Sequence, residues 1–176
     1  KLQIRFAPDP FYMREIAESV AAGPNQAPAL RDLQLMTVGI RNSSARWIEG
    51  ISVRLVDLHD GEGRRRVGQV PTWLWRPDAG PAAATRPGAA PFPLRPAEEK
   101  IIHVARFEPQ RDGAFIEILL WDGSRVPIDP ATDYQLKIGV FAPDIPACTC
   151  NYRLWVDAEG RLQMKEEKPA QPAETG

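Results

Sequence analysis

The sequence predicts an all-β fold, two antiparallel sheets packed as a sandwich. Three observations carry that expectation. Apolar and polar residues alternate along Met36-x-Val38-x-Ile40, Ile51-x-Val53-x-Leu55 and Tyr134-x-Leu136-x-Ile138-x-Val140, and a period of two buries one face of a strand while wetting the other. Eighteen prolines and 13 glycines in 176 residues disfavour long helices, because an interior proline removes a backbone donor and clashes with the preceding turn. Turn-forming residues punctuate the runs, as at Asn42-Ser43-Ser44, Asp112-Gly113 and Asp157-Ala158-Glu159-Gly160.

The elements follow in order. Leu2, Ile4 and Phe6 alternate with Gln3 and Arg5 up to Ala7-Pro8-Asp9-Pro10, where two prolines end pairing and place this strand at an edge. From Phe11 to Ala22 the apolar residues Tyr12, Ile16 and Val20 fall four apart before Gly23-Pro24, which predicts a short helix or an irregular arm. The run Leu33 to Leu58 predicts two strands joined by a polar connection. Asp57 to Gly63 is turn chemistry, and Arg64-Arg65-Arg66 after it is a solvated charge run. Val70 to Trp75 is a short extended piece with Trp73 and Trp75 on one face.

Residues 77–97 hold six prolines and seven alanines, a composition that favours polyproline-like extension and builds no core, so a long surface loop is expected. Ile101 to Phe107 and Phe115 to Trp121 predict a hairpin. Val126 to Ile128 adds a brief strand. Tyr134, Leu136, Ile138 and Val140 predict the strongest late strand, facing inward. Cys150 to Val156 and Arg161 to Met164 close the domain as a hairpin in which Gly160 suits a left-handed turn position. One domain over residues 1–165 is expected, with 166–176 as a charged, proline-bearing disordered tail.

Charge and cysteine content narrow the function classes. The 22 basic and 23 acidic residues nearly cancel, so no global field points to nucleic acid or an anionic membrane surface. The two cysteines stand at i and i+2, an awkward spacing for a disulfide, which leans towards a reducing compartment. No apolar stretch approaches the ~18 residues of a membrane span, and no signal-peptide pattern is visible. The chain opens at Lys1 without a methionine and passes straight into strand-like sequence, so a longer precursor is expected.

The stretch Val38-x-Ile40-x-Asn42-Ser43-Ser44, followed by Ile51-x-Val53-x-Leu55, resembles the early strands of bacterial immunoglobulin-like domains. Pro130-Ala131-Thr132-Asp133-Tyr134 resembles the entry to their strand F, where a tyrosine hydroxyl bonds upstream backbone. From LQIRFAPDPF through VGIRNSS and VRLVDL to YRLWVDAEGRL, residues 1 to 165 are similar to uncharacterised bacterial membrane-anchored proteins that place such a sandwich after transmembrane helices. The resemblance implies an immunoglobulin-like sandwich tethered to a membrane through a segment outside this chain; the cytoplasmic side is expected separately, from the lean of the cysteines towards a reducing compartment. The resemblance carries no catalytic residues. Residues 21–29 and 77–97 depart from its pattern.

Cys148-Thr149-Cys150 projects two sulfurs to one face, as zinc ligation needs, but only His59 and His103 are available as soft partners and neither has ligand spacing. Ordinary strand-start cysteines are expected, and no cofactor. Asp57, Asp60 and Glu62 do not follow the order of a calcium loop. No nucleophile motif, P-loop or dinucleotide fingerprint occurs, so a non-enzymatic interaction or structural module with a protein partner is expected, and no nucleic acid. The alternative is carbohydrate or cell-surface ligand binding through Trp73, Trp75 and the 77–97 loop, since two aromatics on one face of a strand form a platform for sugar rings.

Overall fold

The computed structural model describes residues 1–20, 29–67, 72–74 and 91–167. Among them the chain forms strands and no helix. The strands are β1 (Leu2–Arg5), β2 (Met13–Val20), β3 (Ala29–Asn42), β4 (Ile48–Asp60), β5 (Thr72–Trp73), β6 (Phe92–Leu94), β7 (Glu99–Phe107), β8 (Ile116–Leu119), β9 (Arg125–Ile128), β10 (Tyr134–Ala142), β11 (Ile145–Val156) and β12 (Leu162–Glu167). One antiparallel sheet has the order β1-β3-β7-β8-β9, with β2 also on β3. The other has the order β12-β11-β10-β4-β5, with β6 also on β4. The two sheets pack together as a β-sandwich, as the alternation predicts.

Alternation sets the core. Met36, Val38 and Ile40 from β3 face Leu136, Ile138 and Val140 from β10, and all six are at most 1% exposed. A fully buried side chain of this size contributes about 1.5–3 kcal/mol over an exposed one. Two bulges keep the pattern on the core. In β7 the register against β3 skips one residue, so that Val104 and Ala105 both point inward. In β4 a similar shift at Val56 brings Leu58 and Asp60 inward after Ile51, Val53 and Leu55. The sheets are also tied by a side chain, because Leu162 N–H donates to Gln34 Oε1 at 2.6 Å.

β3 and β4 do not pair with each other; the connection carries the chain from one sheet to the other. Asn42 makes the crossing. It is fully buried, and its Nδ2 donates to Arg46 O at 2.6 Å and Leu94 O at 3.1 Å. Its Oδ1 accepts from Ser44 N–H at 2.9 Å and Ser44 Oγ–H at 2.7 Å. Every polar atom of the amide is thus used, as burial requires.

One connection covers the free edge of β4 piece by piece. Arg66 N–H donates to Leu58 O and His59 bridges Arg65; β5 pairs with Arg54 and Leu55; β6 pairs with Ile48 and Ile51. An edge covered this way offers no template to another chain.

The structure corrects four expectations. Residues 13–20 are strand β2, in register with β3 from Met13↔Met36 to Val20↔Ala29; pairing overrides an ambiguous local period. The surface-loop reading of 77–97 fails at its end, where Phe92 and Leu94 are core residues 3% and 0% exposed. Pro91 and Pro93 are tolerated there because β6 is short and at an edge; residues 77–90 lie outside the described residues. β12 runs to Glu167, two residues into the expected tail, while 168–176 also lie outside the described residues. Finally, the Asp57–Arg66 segment is not simply solvated, since the Asp60 side chain has no exposed surface. Of the other expectations, β1 stands at the end of its sheet and β7 and β8 form a hairpin.

Candidate functional site

The residues singled out in the sequence are dispersed. Trp73 pairs with Arg54 in β5 next to the core residue Leu74, and Trp75 lies outside the described residues. Cys148 and Cys150 are free thiols, half-buried and packed against the core on the inward face of β11. Burial, with Glu166 and Cys148 nearby, pushes the Cys150 thiol up to about 11, far from the range of a reactive thiolate. Cys148 pairs with Val140, and His59 with Gln135 at the opposite end of β10, five residues or roughly 16 Å along a strand. His103 belongs to the other sheet, opposite Thr37, where burial and then the Arg14 charge push its pKa down to about 4. No group of three or more His, Cys, Asp or Glu among the described residues is placed to hold a metal.

At the end of the sandwich where β4 leaves, charged residues fold a turn. Asp60 Oδ1 accepts from the N–H groups of Glu62 and Arg64 at 3.0 and 2.9 Å, and Oδ2 accepts from Arg64 Nε at 2.9 Å and Arg66 Nε at 3.1 Å. Burial alone would raise the Asp60 pKa, but these donors outweigh it and hold the carboxyl down to about 2. His59 Nε2–H donates to Asp57 Oδ2 at 2.7 Å and Nδ1–H to Gly63 O at 3.1 Å. Both ring nitrogens act as donors, the pattern of an imidazolium, and these two bonds raise the His59 pKa. Asp57, which also binds Arg65 at 2.9 Å, is lowered: burial opposes, and the His59 bond, the His59 charge and Arg65 prevail. Across the ladder from Asp60, the buried Tyr134 hydroxyl accepts Asp129 N–H at 3.0 Å, five residues upstream. All of these bonds fix turns.

The opposite end holds a cleft of about 730 Å³ that the sequence reading did not single out. Three stretches meet there: the start of β1, the β3–β4 link and the β10–β11 turn. Leu2, Pro143, Ile145 and Pro146 form apolar wall, and Ser44, Arg46, Glu49 and Asp144 supply polar groups around it. Trp47 lies in this wall, 56% exposed, with the Arg95 guanidinium 5.7 Å from its ring centroid, a cation–π distance.

Local sequence explains the cleft. Asn42 and Ser44 bend the link so that Trp47 emerges just before β4. Pro143 and Asp144 form the two-residue turn between Ala142 and Ile145, with Asp144 at φ +58°, a left-handed conformation that Asp tolerates better than most residues. Gly50 at φ +68° lets this turn close, since a Cβ there would meet Pro143 Cδ at 2.9 Å. The one local trace of the cleft in the sequence is an aromatic, Trp47, inside a polar connection. A second depression, about 400 Å³, lies between Ile16, Leu33, Leu35, His103 and Leu119 of the first sheet, without an exposed aromatic of the size of Trp47.

The fold and the cleft define a β-sandwich with an open, aromatic-bearing end. No family model, curated protein or solved structure matches the chain. Among the described residues no helix is long and apolar enough to cross a membrane.

Proposed function

We propose that this protein is a non-enzymatic binding module whose partner, a protein or peptide, docks at the Trp47 end of the sandwich. The observation that carries the reading is the half-exposed indole of Trp47 in a cleft of about 730 Å³. Trp side chains set in a pocket are the commonest anchors of binding energy, because they bury a large apolar area at little conformational cost. The polar residues with perturbed titration at the other end are consumed by turns, which favours presentation over chemistry.

The finer assignment is an immunoglobulin-like sandwich carried by a membrane-tethered bacterial protein. The Tyr134 to Asp129 bond supports the first half of it, since such a tyrosine corner recurs in that fold. The tether rests on the sequence resemblance alone.

Selection of a displayed random-peptide library on the domain, with the Trp47→Ala variant as counter-selection, tests the reading. Peptides that bind the parent and lose at least about tenfold in affinity on Trp47→Ala are expected, as for a central aromatic anchor. A selection that enriches nothing, or only peptides indifferent to Trp47, sinks it. A glycan array run on the same two proteins is the arm that would return the carbohydrate reading instead.

A further inference from the structure

We propose that Cys148 and Cys150 hold one soft monovalent metal ion of the Cu(I) class between their sulfurs, with the Tyr152 hydroxyl donating to the metal-bound Cys150 sulfur. The site opens on the Trp47 cleft but does not depend on what docks there. Four observations meet in it.

The first is placement on one face. Cys148 pairs with Val140 and Cys150 with Ile138, and both partners are core residues with no exposed surface. The two thiols therefore stand in succession on the inward face of β11, with the exposed Thr149 between them turned the other way. They are neighbours in space as well, since the Cys148 thiol is among the groups that act directly on Cys150. The second observation is span. Residues two apart on a strand have Cα atoms roughly 6.8 Å apart, the outer limit for a disulfide, whose sulfurs must close to about 2.05 Å. An ion bonded in line to both sulfurs at a metal–thiolate length of about 2.3 Å holds them roughly 4.6 Å apart. That separation suits an undistorted strand.

The third is an orphan hydroxyl. Tyr152 is the next inward residue of β11 and has no exposed surface, yet its hydroxyl has no hydrogen-bond partner among the described residues. The groups around it are Cys150, Glu166 and Cys148. A neutral thiol is a weak acceptor, whereas a thiolate sulfur draws a charge-assisted bond. Metal binding at Cys150 supplies the acceptor that a buried hydroxyl requires. The fourth observation is access: Cys148 lines the Trp47 cleft, so an entering ion meets this sulfur first, with Cys150 and Tyr152 following along the strand.

The number of ligands selects the ion. No group of three or more His, Cys, Asp or Glu among the described residues is placed to hold a metal, which excludes the four-ligand set of structural zinc from them. Two thiolates satisfy Cu(I), a soft ion selected by cysteine sulfur. On binding, two S–H bonds break, two S–Cu bonds form and two protons leave to solvent, with no change in oxidation state.

The test titrates the full chain with Cu(I) under anaerobic conditions against the chromogenic Cu(I) chelator bicinchoninate, and reads copper X-ray absorption on the loaded protein. One ion per chain, held against the chelator by two sulfurs and no third, is expected, with an unchanged elution volume on size exclusion. Cys148→Ala and Cys150→Ala should each release the ion to the chelator. Tyr152→Phe separates a positioning role from a structural one. Metal-free, this variant should unfold at no lower a denaturant midpoint, because only an unpartnered hydroxyl is removed. It should nevertheless bind Cu(I) roughly ten- to a hundredfold more weakly, as when a group that hydrogen-bonds a metal ligand is lost.

A parent chain that yields all its Cu(I) to the chelator overturns the proposal, as does a Cys148→Ala, Cys150→Ala double variant that retains the ion. A third sulfur around the copper, or a dimer formed on loading, overturns the two-ligand site within one chain. Should an alanine variant fail to fold, the sulfur count in the parent's absorption spectrum still decides. Equal Cu(I) affinity in Tyr152→Phe overturns the part given to the hydroxyl.

Discussion

β4 is entered past a buried neutral amide and left at a buried carboxylate. Asn42 uses one acceptor and two donor hydrogens on backbone and a serine hydroxyl. Asp60 uses four acceptor positions on two amides and two guanidinium groups. The guanidinium partners of Asp60 keep much of their surface in water, with Arg64 at 63% and Arg66 at 43% exposure, whereas three of the four Asn42 partners are backbone groups fixed in the fold, the Arg46 and Leu94 carbonyls and the Ser44 amide. Losing Asn42 strands groups that cannot move; losing Asp60 releases groups that can turn to solvent. The two residues also answer differently to pH, since a carboxylate titrates and an amide does not.

Asn42→Ala should therefore have the largest effect. Leaving the Arg46 and Leu94 carbonyls and the Ser44 amide without their partner costs about 3 kcal/mol, read as a lower denaturant midpoint, with the same deficit at every pH from 4 to 8. A deficit that varied steeply with pH would break the contrast between the two ends.

Asp60→Asn comes next. It keeps an acceptor for the Glu62 and Arg64 amides but discards the charge. Its sign in pH is set by a folded pKa of about 2 against an ordinary 3.8. The contribution is fully present above 3.8 and is lost as pH falls through 2, so parent and variant should converge in acid. Denaturant midpoints measured from pH 7 down to 2 decide it, and a constant gap would show that the charge contributes nothing.

Tyr134→Phe removes the acceptor for Asp129 N–H and should cost about 1 kcal/mol. No loss would mean that the Asp129 turn is held by other bonds. The smallest effect belongs to His59. Its pKa is raised above 6.5 by Asp57 and the Gly63 carbonyl, so its contribution is present below 6.5 and fades as pH rises through the folded value. An NMR titration of the ring should return a pKa above 6.5, and the parent should lose slightly more stability than His59→Gln between pH 6.5 and 9. A ring pKa at or below 6.5 would rule the bond pattern out.

Much of the fold was legible because it depends on period-two burial. Tyr134, Leu136, Ile138 and Val140 all reach the core as their alternation requires. β2 was not legible, because Arg14, Glu15 and Glu18 interrupt its apolar residues and only pairing with β3 makes it a strand. β6 was hidden by its prolines: Phe92 and Leu94 look like loop composition until the edge of β4 is there to receive them. The carboxylate end misled for another reason. Nothing local says that a bulge at Val56 turns Asp60 inward. The cleft was out of reach because Trp47 acquires its surroundings from residues about a hundred positions away, at Pro143 to Cys148.

The piecewise cover over β4 has a consequence for how this chain tolerates change in length. Leu74 N–H is bonded to Val53 O on one side of the interval and Phe92 is paired with Ile51 on the other, so the chain departs from β4 and returns to it within about two residues of the same strand. Both stubs are anchored independently of whatever joins them. For a flexible connection between two anchored ends, each doubling of length costs only about 0.6 kcal/mol of closure entropy. Leu74 and Phe92 are therefore the two anchor points between which a grafted peptide, tag or guest domain would be held to the sandwich.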